Sequence, residues 1–235
     1  MQTSKARGIG QLYFSTATAG TAETAWVVDA GMSTGHSTHD VGEYVRRISS
    51  TLEDTVARAP HIDPQSLVDA AHQVPGSPGM AASIAVARRT PLTVEYAVLG
   101  MCAVIARTKA KELEVVQDRR WADVTREQRA HLVTALSMDV DTRPARAGLA
   151  EVTRDKRNTP DGYWCIEPGR ADAAANMLYG TIRTNRPVVV SSPGALRAGV
   201  DGLYRRAVRR RAKTATHWAS RIGSSEEDCT IAVLD

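Results

Sequence analysis

Aromatic side chains are scarce in this chain: they make up 5% of its 235 residues, with a single phenylalanine, Phe14. Valine, alanine, leucine and isoleucine must therefore fill the interior, which suits a layered protein of helices and sheets. Cysteine is scarce too. Cys102, Cys165 and Cys229 are odd in number, widely spaced and form no Cys-x-x-Cys pair, so neither a disulfide framework nor a zinc knuckle is expected. No apolar run approaches membrane-spanning length, and Met1 to Gly10 holds no apolar signal-type stretch. The expectation is a soluble, cytoplasmic protein that does not engage a membrane. The phosphate-loop, dinucleotide and His-Glu-x-x-His spacings are missing, which removes the nucleotide-binding and zinc-hydrolase chemistries they carry.

Carboxylates are present where apolar strands end or begin. Trp26-Val27-Val28-Asp29-Ala30-Gly31 closes one strand on an acidic turn, and Glu227-Asp228 opens a final one. Between them, two glycine turns carry no acid: Val98-Leu99-Gly100-Met101-Cys102 and Val190-Ser191-Ser192-Pro193-Gly194. The formal net charge is +4, and much of the excess sits in Arg205-Arg206-Ala207-Val208-Arg209-Arg210-Arg211-Ala212-Lys213. On a helix these cations form adjacent stripes at i, i+4 spacing. A solvated helix surface, with Leu203, Val208, Ala212 and Ala215 turned inward, is the preferred reading. An acidic partner on this face is the alternative, and nucleic acid is not expected because no aromatics interleave the run.

Periodicity gives the organisation. Thr24 to Asp29 reads as a buried strand. Asp40 is placed as the cap of a helix running through Arg58, with Val41, Tyr44, Val45, Ile48, Leu52 and Val56 at helical spacing. Pro64 opens a second helix through Val74. Ala81–Ala87, Val94–Leu99, Cys102–Ala106 and Glu112–Val116 read as strands joined by short turns, hence an antiparallel meander. Residues 125–137 and 144–157 read as helices, Gly162–Ile166 as a short strand and Arg170–Leu178 as helix. Pro187–Ser191 reads as a buried strand, 195–221 as helix and Cys229–Leu234 as a last strand. With no repeat and no linker, residues 1–235 read as a single domain of α+β class.

The order of these pieces resembles the protein phosphatase 2C (PPM) family, in particular its short divergent bacterial members. Val27-Val28-Asp29-Ala30-Gly31 looks like the family's strand ending in Asp-Gly, with Asp40–Tyr44 opening the helix behind it. Val94–Val104 looks like the hairpin whose turn is Gly-Asp-Ser. Arg157-Asn158-Thr159-Pro160-Asp161-Gly162-Tyr163-Trp164 is similar to an Arg-Asn-x-x-x-Gly-Tyr-Trp segment of such relatives. Val188–Arg197 followed by Glu227–Ala232 looks like the family's last Asp-Gly strand and closing strand.

The resemblance implies a four-layer α-β-β-α sandwich of two antiparallel sheets. It also implies phosphomonoester hydrolysis by a water bridging two Mn²⁺ or Mg²⁺ ions, which need clustered oxygen ligands. Carried over residue by residue, Asp29 matches the bridging carboxylate, Ala30 can offer its carbonyl, and Asp228, with Glu227, matches the closing carboxylate. Met101 stands where the central acid is expected, and Ser192 or Ser191 where the late one is. The metal set reduces to Asp29, Ala30 and Asp228, a weak or vestigial site for Mn²⁺ or Mg²⁺.

Three readings follow. The first is a pseudophosphatase or repurposed scaffold that binds a protein or small molecule in the inter-sheet cleft. The second is a remodelled metal phosphatase using Asp29 and Asp228 with His36, His39 or Asp40, although loop histidines on a polar surface are the commoner case. The third is different chemistry on the same scaffold, with Cys102 or Cys229 as nucleophile, against which stands the commonness of inert buried cysteine.

Overall fold

The architecture is described from a computed structural model covering residues 3–5, 12–13, 16–19, 22–30, 33, 35–196, 199–209 and 230–234. Eleven strands are assigned among these residues: β1 Thr3–Lys5, β2 Leu12–Tyr13, β3 Thr16–Ala19, β4 Ala22–Asp29, β5 Ser83–Arg89, β6 Thr93–Leu99, β7 Ala103–Arg107, β8 Leu113–Gln117, β9 Leu178–Arg183, β10 Val188–Ser191 and β11 Thr230–Leu234. The helices are α1 Thr38–Arg58, α2 Pro64–His72, α3 Arg120–Val124, α4 Arg126–Ser137, α5 Arg143–Asp155, α6 Pro193–Leu196 and α7 Val200–Arg209, with a 3₁₀ turn at Ala171–Asn176. One sheet runs β1-β11-β10-β7-β8. The other runs β2-β4-β5-β6-β9, with β3 also paired to β4. Every strand pairing is antiparallel.

The scarcity of aromatics has a structural counterpart. The layer between the sheets is built from Ala25, Val27, Ala85, Ala87, Val98, Val104, Ala106, Val190 and Ala232, so small and β-branched side chains bring the sheets together. The large rings sit outside, where Trp26 and Tyr44 fill the layer between one sheet and the α1/α2 pair. On the opposite outer face Leu203, Tyr204 and Ala207 of α7 cover Ile105, Val189, Ile231 and Val233. The layers are α-β-β-α, as the resemblance implies. Among the described residues no helix is long and apolar enough to cross a membrane.

Local chemistry explains several differences from the expected elements. Ser37, not Asp40, caps α1: its Oγ accepts the Asp40 N–H and donates to the Asp40 carboxylate at 2.7 Å. Asp40 occupies the third helical position, where its charge meets the positive end of the helix. Gly162–Ile166 is not a strand. It makes only isolated bridges, Arg157 with Tyr163 and Ala82 with Ile166. Leu178–Arg183 is an edge strand, where a helix was expected to end, because it pairs with β6 over its whole length. The helix expected over 195–221 breaks at Gly199, which adopts φ of 84°, and residues beyond Arg209 lie outside the described set.

Candidate functional site

Period-two alternation decides which side chains meet at one end of the sandwich. Ala25 and Val27 of β4 face the opposite sheet, so Asp29 at the strand's end shares that face. Ser83 opens β5 directly opposite Asp29. Gly100 closes the β6–β7 turn with φ of 81°, and a Cβ there would lie 2.5 Å from Ser83 Oγ, so the turn seats on the serine only as glycine. The Met101 N–H donates to Ser83 Oγ at 3.0 Å, and Gln117 Nε2 donates to the Met101 carbonyl at 3.1 Å. These bonds bring the Gly100-Met101-Cys102 turn beside Asp29.

The turn's side chains are occupied elsewhere. Cys102 is fully buried among the inter-sheet residues. Burial, reinforced by the negative charge of Asp29, pushes its thiol well above the ordinary range, against the opposite effect of the Asp29 backbone N–H directed at the sulfur. A thiol held neutral in this way is no nucleophile near neutral pH. Met101 packs with Trp121 and Val124 of the α3 region onto Ala81, Tyr163 and Cys165. It thus serves as an apolar contact of the turn with that cluster.

The remaining expected residues are placed as follows. Asp29 is half-buried at the cleft, and the carbonyl of buried Ala30 accepts the Ser33 N–H at 3.0 Å. His36 Nε2 donates to the Pro78 carbonyl at 2.9 Å, a bond that uses its ring proton. Asp40 is engaged at the α1 cap, and hydrogen bonding from Ser37 holds its carboxyl below the usual range. Ser191 pairs with Ala103 and Ile231 and shares the α7-facing side of β10 with Val189, and Ser192 after it is fully buried. Glu227, Asp228 and Cys229 lie outside the described residues, as do Arg210 to Lys213. Arg205 is exposed and pairs with Asp201 at 2.7 Å.

Two site features escaped the sequence reading. Ser83 carries no pattern of its own; only its place opposite Asp29 reveals it. Ser33 lies within Gly31-Met32-Ser33-Thr34-Gly35, which has the Gly-x-Ser-x-Gly spacing of a nucleophile elbow. Its Oγ instead donates to the Ala81 carbonyl at 3.1 Å and accepts the Ala81 N–H at 3.0 Å. It is a brace between the loop after Asp29 and the entry to β5.

The Arg157–Trp164 motif is a structural knot. Asn158, at φ of 51°, accepts the Cys165 N–H at 2.9 Å, donates to Glu167 at 2.8 Å, and receives Arg170 on its carbonyl at 2.6 Å. Arg157 stands 3.5 Å from Glu167. A Cβ at Gly162 would lie 1.8 Å from the Lys156 carbonyl oxygen, so the loop closes on itself only with glycine.

With this geometry, comparison with solved structures is decisive for the fold. The serine/threonine phosphatase of S. agalactiae superposes with a TM-score of 0.59 at 12% identity, covering 99% of this chain and 98% of its own. The photosystem II phosphatase PBCP gives 0.58 at 14% identity, covering 99% and 96%. RsbX, solved in complex with magnesium, gives 0.53 at 11% identity, covering 98% and 92%. The chain has the protein phosphatase 2C fold. No protein-family profile matches the sequence, and no curated protein matches it. Against this fold, the donor set at the cleft is thin. Among the described residues no group of three or more His, Cys, Asp or Glu side chains is placed to hold a metal. Hard divalent cations require several oxygens, and here one carboxylate meets a protonated thiol and a thioether turned into apolar packing. The described residues do not fit a pair of Mn²⁺ or Mg²⁺ ions.

Proposed function

We propose that this protein is a pseudophosphatase: a protein phosphatase 2C scaffold that binds a protein or small-molecule ligand in its inter-sheet cleft and has lost metal-assisted phosphomonoester hydrolysis. The observation that carries this reading is the Gly100-Met101-Cys102 turn. It is held beside Asp29 by Ser83, yet offers the cleft no second carboxylate. Phosphoryl transfer spreads negative charge over the transferring oxygens, and catalysis on this scaffold depends on metals to stabilise it. Among the described residues Asp29 is the one acid at this place, which gives those metals too little negative charge. The neutral, buried Cys102 thiol argues in the same direction against a cysteine nucleophile.

The test is hydrolysis of p-nitrophenyl phosphate in millimolar Mn²⁺, paired with Mn²⁺ titration calorimetry. The purified protein is expected to show weak or no turnover. Met101→Asp combined with Ser192→Asp is expected to raise Mn²⁺ affinity. Robust, chelator-sensitive turnover that Asp29→Ala abolishes would instead establish an active Mn²⁺- or Mg²⁺-dependent phosphatase with a remodelled site.

A further inference from the structure

β9 closes one sheet, and among the described residues no strand pairs with its outer side. Its register decides which backbone groups that side presents. Arg183 lies opposite Thr93, and just beyond it the Thr184 N–H donates to the Leu92 carbonyl at 3.2 Å. Bonded and non-bonded pairs alternate along an antiparallel ladder, so Ile182, Gly180 and Leu178 direct their N–H and C=O groups to β6. Tyr179, Thr181 and Arg183 direct theirs to the open edge. The edge has none of the usual guards: no proline, lysine or bulge interrupts Leu178–Arg183.

Side chains alternate with the same period. Ile182 is buried in the layer between the sheets, and Gly180 lies on that face against Tyr96, where a Cβ would come within 2.7 Å of the phenol oxygen. Tyr179, Thr181 and Arg183 share the opposite face, and all three are exposed, Tyr179 by 60%. Arg183 pairs with no carboxylate among the described residues. Glu95, diagonal to it across β6, is taken by Arg88 at 2.6 Å.

This edge is complementary to itself. Two antiparallel copies of β9 centred on Thr181 pair all three outward residues within the strand, whereas centring on Gly180 leaves Arg183 beyond the ladder. The Thr181 register sets Tyr179 of each copy across from Arg183 of the other, and Thr181 across from its own counterpart. A guanidinium on an exposed phenol ring is a favourable cation–π pair, and facing threonines exchange a hydroxyl bond. Each contact then occurs in both directions, as a two-fold interface requires.

We infer that β9 pairs antiparallel with β9 of a second copy of this chain about a two-fold axis at Thr181, which joins two sheets into one. The paired edge is a strip about 20 Å long and about 10 Å deep. It falls well below the roughly 800 Å² per partner of a standard interface, so the dimer is weak and forms as concentration rises. None of the residues at the Asp29 cleft takes part, and the inference does not depend on the pseudophosphatase reading.

The test is sedimentation velocity on the full chain over a concentration series reaching the near-millimolar range. The parent is expected to pass from monomer to dimer along the series. Thr181→Pro removes an outward N–H and leaves the β6 ladder intact, so it should abolish the dimer. Tyr179→Arg sets arginine against arginine and should weaken association about tenfold or more, because each change counts twice across the axis. Adding Arg183→Tyr to Tyr179→Arg exchanges the members of the pair and should restore association, which only the Thr181 register allows. Circular dichroism melts check that the variants fold, and the exchange decides the matter even where the proline variant does not. A parent that stays monomeric, dimerisation by folded Thr181→Pro, indifference to Tyr179→Arg, or a double variant no stronger than Tyr179→Arg would each overturn the inference.

Discussion

Replacing Asn158 tests whether the Arg157–Trp164 motif is structural or available for a ligand. The side chain is 1% exposed. It supplies the acceptor for the Cys165 N–H and a donor to the Glu167 carboxylate, while the backbone sits at φ of 51°. Asn158→Ala orphans the buried N–H, worth about 1–3 kcal/mol, and removes a bond to a charged group, worth about 1.5–3 kcal/mol. It also places an ordinary residue in the left-handed region, which adds about 1 kcal/mol. The expected loss is about 4–6 kcal/mol, a large share of the stability of an ordinary domain. Asn158→Gly loses the same side-chain bonds but tolerates the φ, so it should be about 1 kcal/mol milder than alanine. Equilibrium urea unfolding followed by tryptophan fluorescence measures both, since Trp164 lies six residues on and is buried. An alanine variant within about 1 kcal/mol of the parent, below the usual penalty for one orphaned buried group, would refute the knot and free the motif for a binding role.

Gly100→Ala should destabilise by about 2 kcal/mol or more in the same assay, because φ is positive and the new Cβ meets Ser83 Oγ at 2.5 Å. His72 is buried, and burial depresses its pKa below the ordinary 6.5. Its stabilising contribution is therefore complete above about pH 6.5 and is lost as pH falls from there toward the folded value. His72→Gln should flatten the fall in Tm between about pH 7 and pH 5; an unchanged slope would remove His72 from the acid response. Cys102 and Cys165 are buried, with the Cys165 thiol pushed up to about 12 by burial. Neither should react with iodoacetamide in the folded protein, whereas both should react in urea, and rapid native labelling of Cys102 read by mass spectrometry would revive the cysteine-nucleophile reading.

Much of the fold was legible because its apolar patterns are of two clean kinds. The Val- and Ala-rich runs of β4, β5, β6 and β10 are buried on both faces and read as strands. The spacing of Tyr44, Val45, Ile48, Leu52 and Val56 reads as one buried stripe of α1. β9 was not legible: Leu178-Tyr179-Gly180-Thr181-Ile182-Arg183 is an edge strand with one fully buried apolar side chain, Ile182. Its identity comes from pairing with β6, which no local pattern carries. Gly162-Tyr163-Trp164-Cys165-Ile166 misled in the opposite sense. Its bulky residues are buried, but by a loop that folds back on Lys156 and Asn158 through the Tyr163 N–H and carbonyl. At the site, the nearness of Asp29 and the Gly100 turn was an implication of the family resemblance and of no local pattern. The braces that hold it were not legible: Ser83 is a lone serine that announces neither partner nor place, and the Gly-x-Ser-x-Gly spacing around Ser33 points to a nucleophile and not to a brace.

The Met101 position joins the site's chemistry to the stability of the fold. A carboxylate there would stand against Ala81, Tyr163 and Cys165, where desolvation and the neighbouring Asp29 both disfavour charge unless cations neutralise it. Such a residue is maintained at a standing loss of stability, which metal binding repays through its preference for the folded state. The thioether reverses both terms. It packs a flexible apolar side chain onto the cluster that Trp121 and Val124 also cover and leaves Asp29 without a second like charge from the turn. On the proposed reading, the residue that stands in a metal ligand's place is also one that packs onto Ala81, Tyr163 and Cys165. On that reading the cleft needs no cations to hold its shape, which is what a scaffold that binds without catalysing requires.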